Sequence, residues 1–145
     1  MNIFPPSLPL DHDRIVAAIG EAELLTCGEI RVLLARQPAP EPVATAQKQF
    51  DQLGMTQTTA RNGVLLFLAP ASRTFAIIGD TGVHEKCGEA FWRDVAAAMS
   101  AHFKRGEFTE GLVQGIERTG TLLAAHFPRA PDDRDELPND VAESD

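Results

Sequence analysis

Six polar residues stand at the ends of the chain's apolar runs: Glu29, Arg61, Asn62, Asp80, His84 and Glu85. Two or three carboxylates with an amide oxygen are hard ligands of the kind that hold calcium or magnesium, so Asp80 and Glu29 are the candidate metal ligands. Asp80 is also the candidate catalytic residue, as nucleophile or metal ligand in phosphate-ester hydrolysis. Gly79 and Gly82 beside it would let the backbone approach a ligand closely. A helix N-terminus nearby favours an anion such as phosphate. The same residues also admit a reading without a ligand. Asp80 then caps the following helix or orders its own turn, and Arg61 pairs with Glu29 or Asp80.

Whether these residues meet depends on the strands that carry them. Residues 64–69 are apolar at every position, and residues 74–78 form a second apolar run after the turn Pro70-Ala71-Ser72-Arg73. Both are rich in Val, Ile, Leu and Phe and too short for ordinary helices, so they read as paired strands. A strand apolar on every residue must be covered on both faces, which places helices above and below it. Residues 29–36 read as an earlier strand, with Ile30, Val32 and Leu34 on one face. A helix separates it from residues 64–69, and a strand–helix–strand crossover makes the two strands parallel. The short turn makes the third strand antiparallel to the second. These directions bring the start of the first two strands and the end of the third to one edge, gathering the six residues there.

The helices follow from caps and stripes. Asp11 or Asp13 caps a helix ending near Thr26, with Ile15, Ile19 and Ala22 on its packing face. Pro42 opens a second, striped by Val43, Ala46, Phe50 and Leu53, and Gly54 stops it. Residues 85–104 form a third, with Cys87, Phe91, Val95, Met99 and Phe103 at every fourth position. Thr109 caps a fourth, residues 110–126, striped by Leu112, Ile116 and Leu123, with Phe127 at its end. Its small row Gly111, Gly115, Thr119 lets a neighbour approach. The fold class is therefore α/β: a small mixed sheet, a parallel pair plus an antiparallel strand, sandwiched by about four helices in three layers.

At 145 residues the chain reads as an extension over residues 1–10, one domain over 11–127 and an acidic tail over 128–145. The tail holds seven acids against two arginines, −5 of the chain's net −8, and its composition predicts disorder. The body is only mildly acidic, and no basic patch suggests nucleic acid. No apolar run is long enough to cross a bilayer. The first nine residues lack a basic start and are broken by Pro5, Pro6 and Pro9, so they do not read as a signal peptide; the expected location is the cytoplasm. Cys27 and Cys87 then read as free thiols. Both fall at the same sheet end as His84, where a soft metal site can be imagined, but two thiols acting as small apolar residues are the plainer reading. His12, His102 and His126 lie on helices without partner ligands. Trp92 reads as covering the core rim in preference to meeting a partner. No Ser-His-Asp order, phosphate-binding glycine loop or metalloprotease signature is present.

The segments Thr26-Cys-Gly-Glu-Ile-Arg-Val, Leu53-Gly-Met, Arg61-Asn-Gly-Val-Leu-Leu-Phe-Leu, Arg73-x-x-x-Ile-Ile-Gly-Asp-x-Gly-Val and Phe108-Thr-Glu-Gly-Leu, in this order and spacing, resemble the TPM domain family over residues 11–127. The resemblance implies a three-layer α/β domain and two functional classes. One is a metal-dependent acid-phosphatase-like hydrolase, as described for plant thylakoid relatives that bind calcium and assist photosystem repair. The other is a non-catalytic interaction or accessory module, like an animal relative that attends a membrane receptor. Calcium or magnesium is the implied cofactor, and a protein, membrane-associated in some relatives, the implied partner. The chain shows no complete catalytic set, which favours the module.

Overall fold

The computed structural model describes residues 10–129 and 141–144. Its architecture is a mixed four-stranded sheet between two helical layers. In chain order the elements are α1 (His12–Glu23), β1 (Glu29–Ala35), α2 (Pro42–Gln52), β2 (Gly63–Ala69), β3 (Thr74–Gly79), α3 (Thr81–Lys104), α4 (Phe108–His126) and β4 (Val141–Ser144). The sheet order is β3-β2-β1-β4. β1 and β2 are parallel, with Glu29 opposite Gly63, and β2 and β3 are antiparallel, with Val64 opposite Gly79.

The wholly apolar run explains the layering. Every residue of β2 is buried. Side chains alternate across a strand, so Val64, Leu66 and Leu68 enter one core with α1, α3 and α4, while Leu65, Phe67 and Ala69 enter a second core with Ala46 and Phe50 of α2. The expected three layers are present, and among the described residues α2, with Ala39 and Met55 from the flanking loops, covers the second face.

Local signals set most of the helix ends. Asp11 caps α1 by accepting the Arg14 N–H at 3.1 Å. Pro42 occupies the first turn of α2, where its missing donor leaves nothing unsatisfied. Its stripe departs from expectation at Val43, which is exposed. Thr109 does not cap α4. The helix starts two residues earlier than expected, at Phe108, and the Thr109 hydroxyl accepts the Asp11 N–H instead, joining the starts of α1 and α4. α3 begins at Thr81, four residues before the expected start, because Asp80 serves as its cap. It is broken at Gly88, whose φ of 71° only glycine adopts readily. The every-fourth-residue stripe bridged that break and hid it. Val95, Met99 and Phe103 are buried as expected, and the side chain of Phe91 lies outside the described residues. The small row of α4 packs as read: a β-carbon on Gly115 would lie 2.6 Å from the Met99 sulfur.

The tail departs from its expected disorder. Val141–Ser144 form a fourth strand, parallel to β1, with Val32 opposite Val141. Val141 is buried in the larger core and Glu143 pairs with Arg36 at 3.0 Å. Composition pointed the other way because two small apolar residues inside an acidic segment give no periodic signal, and the open edge of β1 supplies the order. The rest of the tail, residues 130–140, and most of the extension, residues 1–9, lie outside the described residues.

Candidate functional site

The three chain ends meet as the strand directions require. The Glu29 N–H donates to the Asn62 carbonyl at 3.3 Å, and the Asp80 N–H donates to the Gly63 carbonyl at 2.9 Å. Glu29, Asn62 and Asp80 are 2, 2 and 4 % exposed. Four of the six expected residues, Glu29, Arg61, Asn62 and Asp80, thus share one end of the sheet. His84 and Glu85 lie exposed on the first helical turns of α3, with the His84 ring tilted against Trp92 at a centroid distance of 5.2 Å.

Asp80 is closely engaged. Arg61 grips both carboxylate oxygens, Nε to Oδ2 at 2.6 Å and a terminal nitrogen to Oδ1 at 2.8 Å. Oδ1 also accepts the Thr81 N–H at 2.7 Å, capping α3. A two-pronged guanidinium–carboxylate pair is among the stronger charge-assisted arrangements. It holds the Arg61 guanidinium above its ordinary pKa, chiefly through the hydrogen bond to Asp80. The Arg61 backbone bends to make the pair, with φ at 52° in the left-handed region although the residue is not glycine. The left-handed backbone falls on Arg61 and not on Asn62 or Gly63.

The two glycines serve internal packing. A β-carbon on Gly79 would lie 2.2 Å from the Trp92 ring, and one on Gly82 would lie 2.3 Å from the Ala60 carbonyl oxygen. The Gly82 N–H donates to the Arg61 carbonyl at 2.9 Å. The close approach read from the sequence is real, and its partners belong to the protein itself. Trp92, expected at the core rim, was not connected with Gly79, because no spacing rule links a strand-end glycine to a helix residue thirteen positions later.

Asn62 completes the end. Its N–H donates to the Thr58 hydroxyl at 3.1 Å, and its side-chain amide donates to the Cys27 sulfur at 3.5 Å. Its Oδ1 is buried and accepts no hydrogen bond from the described residues. The donor set can be tested against a hard cation on this geometry. Asp80 fits poorly, since a cation would have to displace the Arg61 fork. Among the described residues no group of three or more His, Cys, Asp or Glu is placed to hold a metal. Cys27 and Cys87 instead pack on the larger core, and burial pushes the Cys87 thiol above its ordinary pKa, with Lys86 opposing. A second polar cluster, unread in the sequence, closes the α3–α4 turn. His102 Nδ1 and Arg105 Nε lie 2.8 and 3.1 Å from the same Glu107 oxygen, and they hold the Glu107 carboxyl below its ordinary pKa, His102 first.

A three-layer α/β domain with a buried polar clasp where two parallel strands begin and an antiparallel one ends is the class this architecture defines. The chain belongs to the TPM domain family, whose model matches residues 8–122. Its structure is similar to the BA42 protein of the psychrophilic bacterium Bizionia argentinensis, with a TM-score of 0.86, 40 % identity and coverage of 93 % of this chain and 95 % of that one. Two more distant structures share the fold. The N-terminal domain of a P. gingivalis protein has a TM-score of 0.64 at 21 % identity, covering 84 % of this chain and 80 % of that one. The N-terminal domain of cg2496 from Corynebacterium glutamicum has 0.60 at 19 %, covering 75 % and 68 %. None of the curated proteins matches the chain.

Proposed function

We propose that this domain is a non-catalytic interaction or accessory module, in which Arg61 and Asp80 form a structural clasp and Glu29 with Asn62 offers a weak site for calcium or magnesium. The observation that supports this reading is the saturation of Asp80. A nucleophile or general base needs an accessible lone pair in reach of substrate. The Asp80 carboxylate is 4 % exposed, gripped by both prongs of Arg61, and bonded to Thr81. Binding by such a module is selected through its surface, and its partner class is a protein.

The test is hydrolysis of p-nitrophenyl phosphate with and without calcium or magnesium, beside an Asp80→Asn control. The expected result is no turnover under any condition. Metal-dependent turnover that the control abolishes would establish the hydrolase instead. Titration calorimetry with each cation, on the wild type and on Asn62→Ala, addresses the ion site separately. Weak binding lost in the variant supports it, and absence of heat removes the cation from the proposal while leaving the module.

A further inference from the structure

The two edges of the sheet are finished differently. β4 is four residues long and carries Glu143 in an ion pair with Arg36. Shortness and charge are the usual devices that keep an edge strand from pairing with another chain. β3 has neither. It runs for six residues, Thr-Phe-Ala-Ile-Ile-Gly, without a charge or a proline, and its register with β2 is unbroken by a bulge. The bond from the Asp80 N–H to the Gly63 carbonyl sets the phase of the antiparallel ladder. Hydrogen-bonded pairs alternate, so Thr74, Ala76 and Ile78 direct their backbone groups to β2 while Phe75, Ile77 and Gly79 direct theirs outward. Among the described residues no strand pairs on that outer side. Phe75 and Ile77 are only partly buried, and α2, which packs over β3, carries Val43 at 63 % exposure.

We infer that the outer edge of β3 pairs with β3 of a second copy of this chain, antiparallel, about a two-fold axis at Ile77. This register sets each outward-facing residue against another. Ile77 meets Ile77 of the second copy, and Phe75 meets Gly79. Up to about six backbone hydrogen bonds can form across the seam. The intervening pairs are Ala76 with Ile78 and Thr74 with Asp80. No like charges meet across the seam. The strand is complementary to itself, which a two-fold interface requires and which a foreign strand would not need. The pairing joins two sheets into one continuous sheet.

Sedimentation velocity over a range of concentrations tests the inference, with Ile77→Lys as the edge-blocking variant. The expected result is a doubling of apparent mass as wild-type concentration rises, and a single-mass species for the variant at every concentration. Because Ile77 also touches the core, amide exchange on the wild type gives a second measure. The Phe75, Ile77 and Gly79 amides should gain protection as concentration rises, while those of Ala76 and Ile78 should not change. A wild type that stays monomeric, a dimer that survives in a folded Ile77→Lys, or concentration-independent exchange at the three amides would overturn the inference.

Discussion

Replacing Asp80 separates a clasp from a catalytic site, because the two roles have opposite effects on stability. Groups held ready for chemistry are commonly in conflict with their surroundings, and removing them leaves stability unchanged or raised. A clasp contributes stability. Asp80→Ala removes the cap on the Thr81 N–H, a loss of about 1 kcal/mol. It also removes the buried acceptor for the Arg61 fork, whose own exposure limits what the pair adds. Together the losses come to roughly 2 kcal/mol, or a melting-temperature fall of roughly 6–10 °C for a chain of this size. Asp80→Asn keeps an oxygen for the cap and should lose about half as much. The assay is thermal unfolding followed by circular dichroism at neutral pH, with Arg61→Ala and the double variant closing a cycle. The Arg61 and Asp80 effects should be clearly non-additive, as expected for groups in direct contact. A folded Asp80→Ala that melts at or above the wild-type temperature would refute the clasp and return Asp80 to the catalytic reading.

Gly79→Ala should force the chain's one tryptophan from its seat, since the added carbon would sit 2.2 Å from the ring; Trp92 emission should shift to the red, and an unchanged spectrum would show that the contact yields. Truncation after Arg129 should destabilise the domain by roughly 1–3 kcal/mol, because Val141 loses its buried place beside β1; an unchanged melting temperature would mean that β4 contributes nothing. The Glu107 carboxyl titrates below its ordinary value when folded, so its stabilising effect is complete above the ordinary carboxylate range and disappears as pH falls through the depressed value. Glu107→Gln should therefore flatten the acid limb of the stability profile, and an acid limb identical to wild type would exclude this cluster as a contributor.

Much of the fold was legible because hydrophobic pattern and chain direction carry it. The unbroken run at residues 64–69 demanded two covering layers, and the crossover from β1 through α2 fixed the parallel pair. Features that depend on a single distant partner were not legible. Val141 needs the edge of β1, which nothing in its own neighbourhood announces. Gly88 breaks α3 without disturbing the spacing of apolar residues on either side, so periodicity passed over it. Val43 matched the stripe of α2 by number, yet it sits in the first turn and outside the packed stretch around Ala46 and Phe50.

The polar end shows where residue type stops informing. Strand directions predicted that the chain ends carrying Glu29, Asn62 and Asp80 would meet, and backbone bonds from Glu29 to Asn62 and from Asp80 to Gly63 join those ends. The same residue types, however, serve a ligand or serve each other, and type alone cannot distinguish a carboxylate awaiting a cation from one already gripped. The deciding facts are geometric: both prongs of Arg61 on Asp80, the Trp92 ring over Gly79, and the Ala60 carbonyl against Gly82. Each fills a space that the sequence left open for a ligand. The buried Oδ1 of Asn62 is the exception, an acceptor that no described residue satisfies. Such an atom is uncommon in a folded interior.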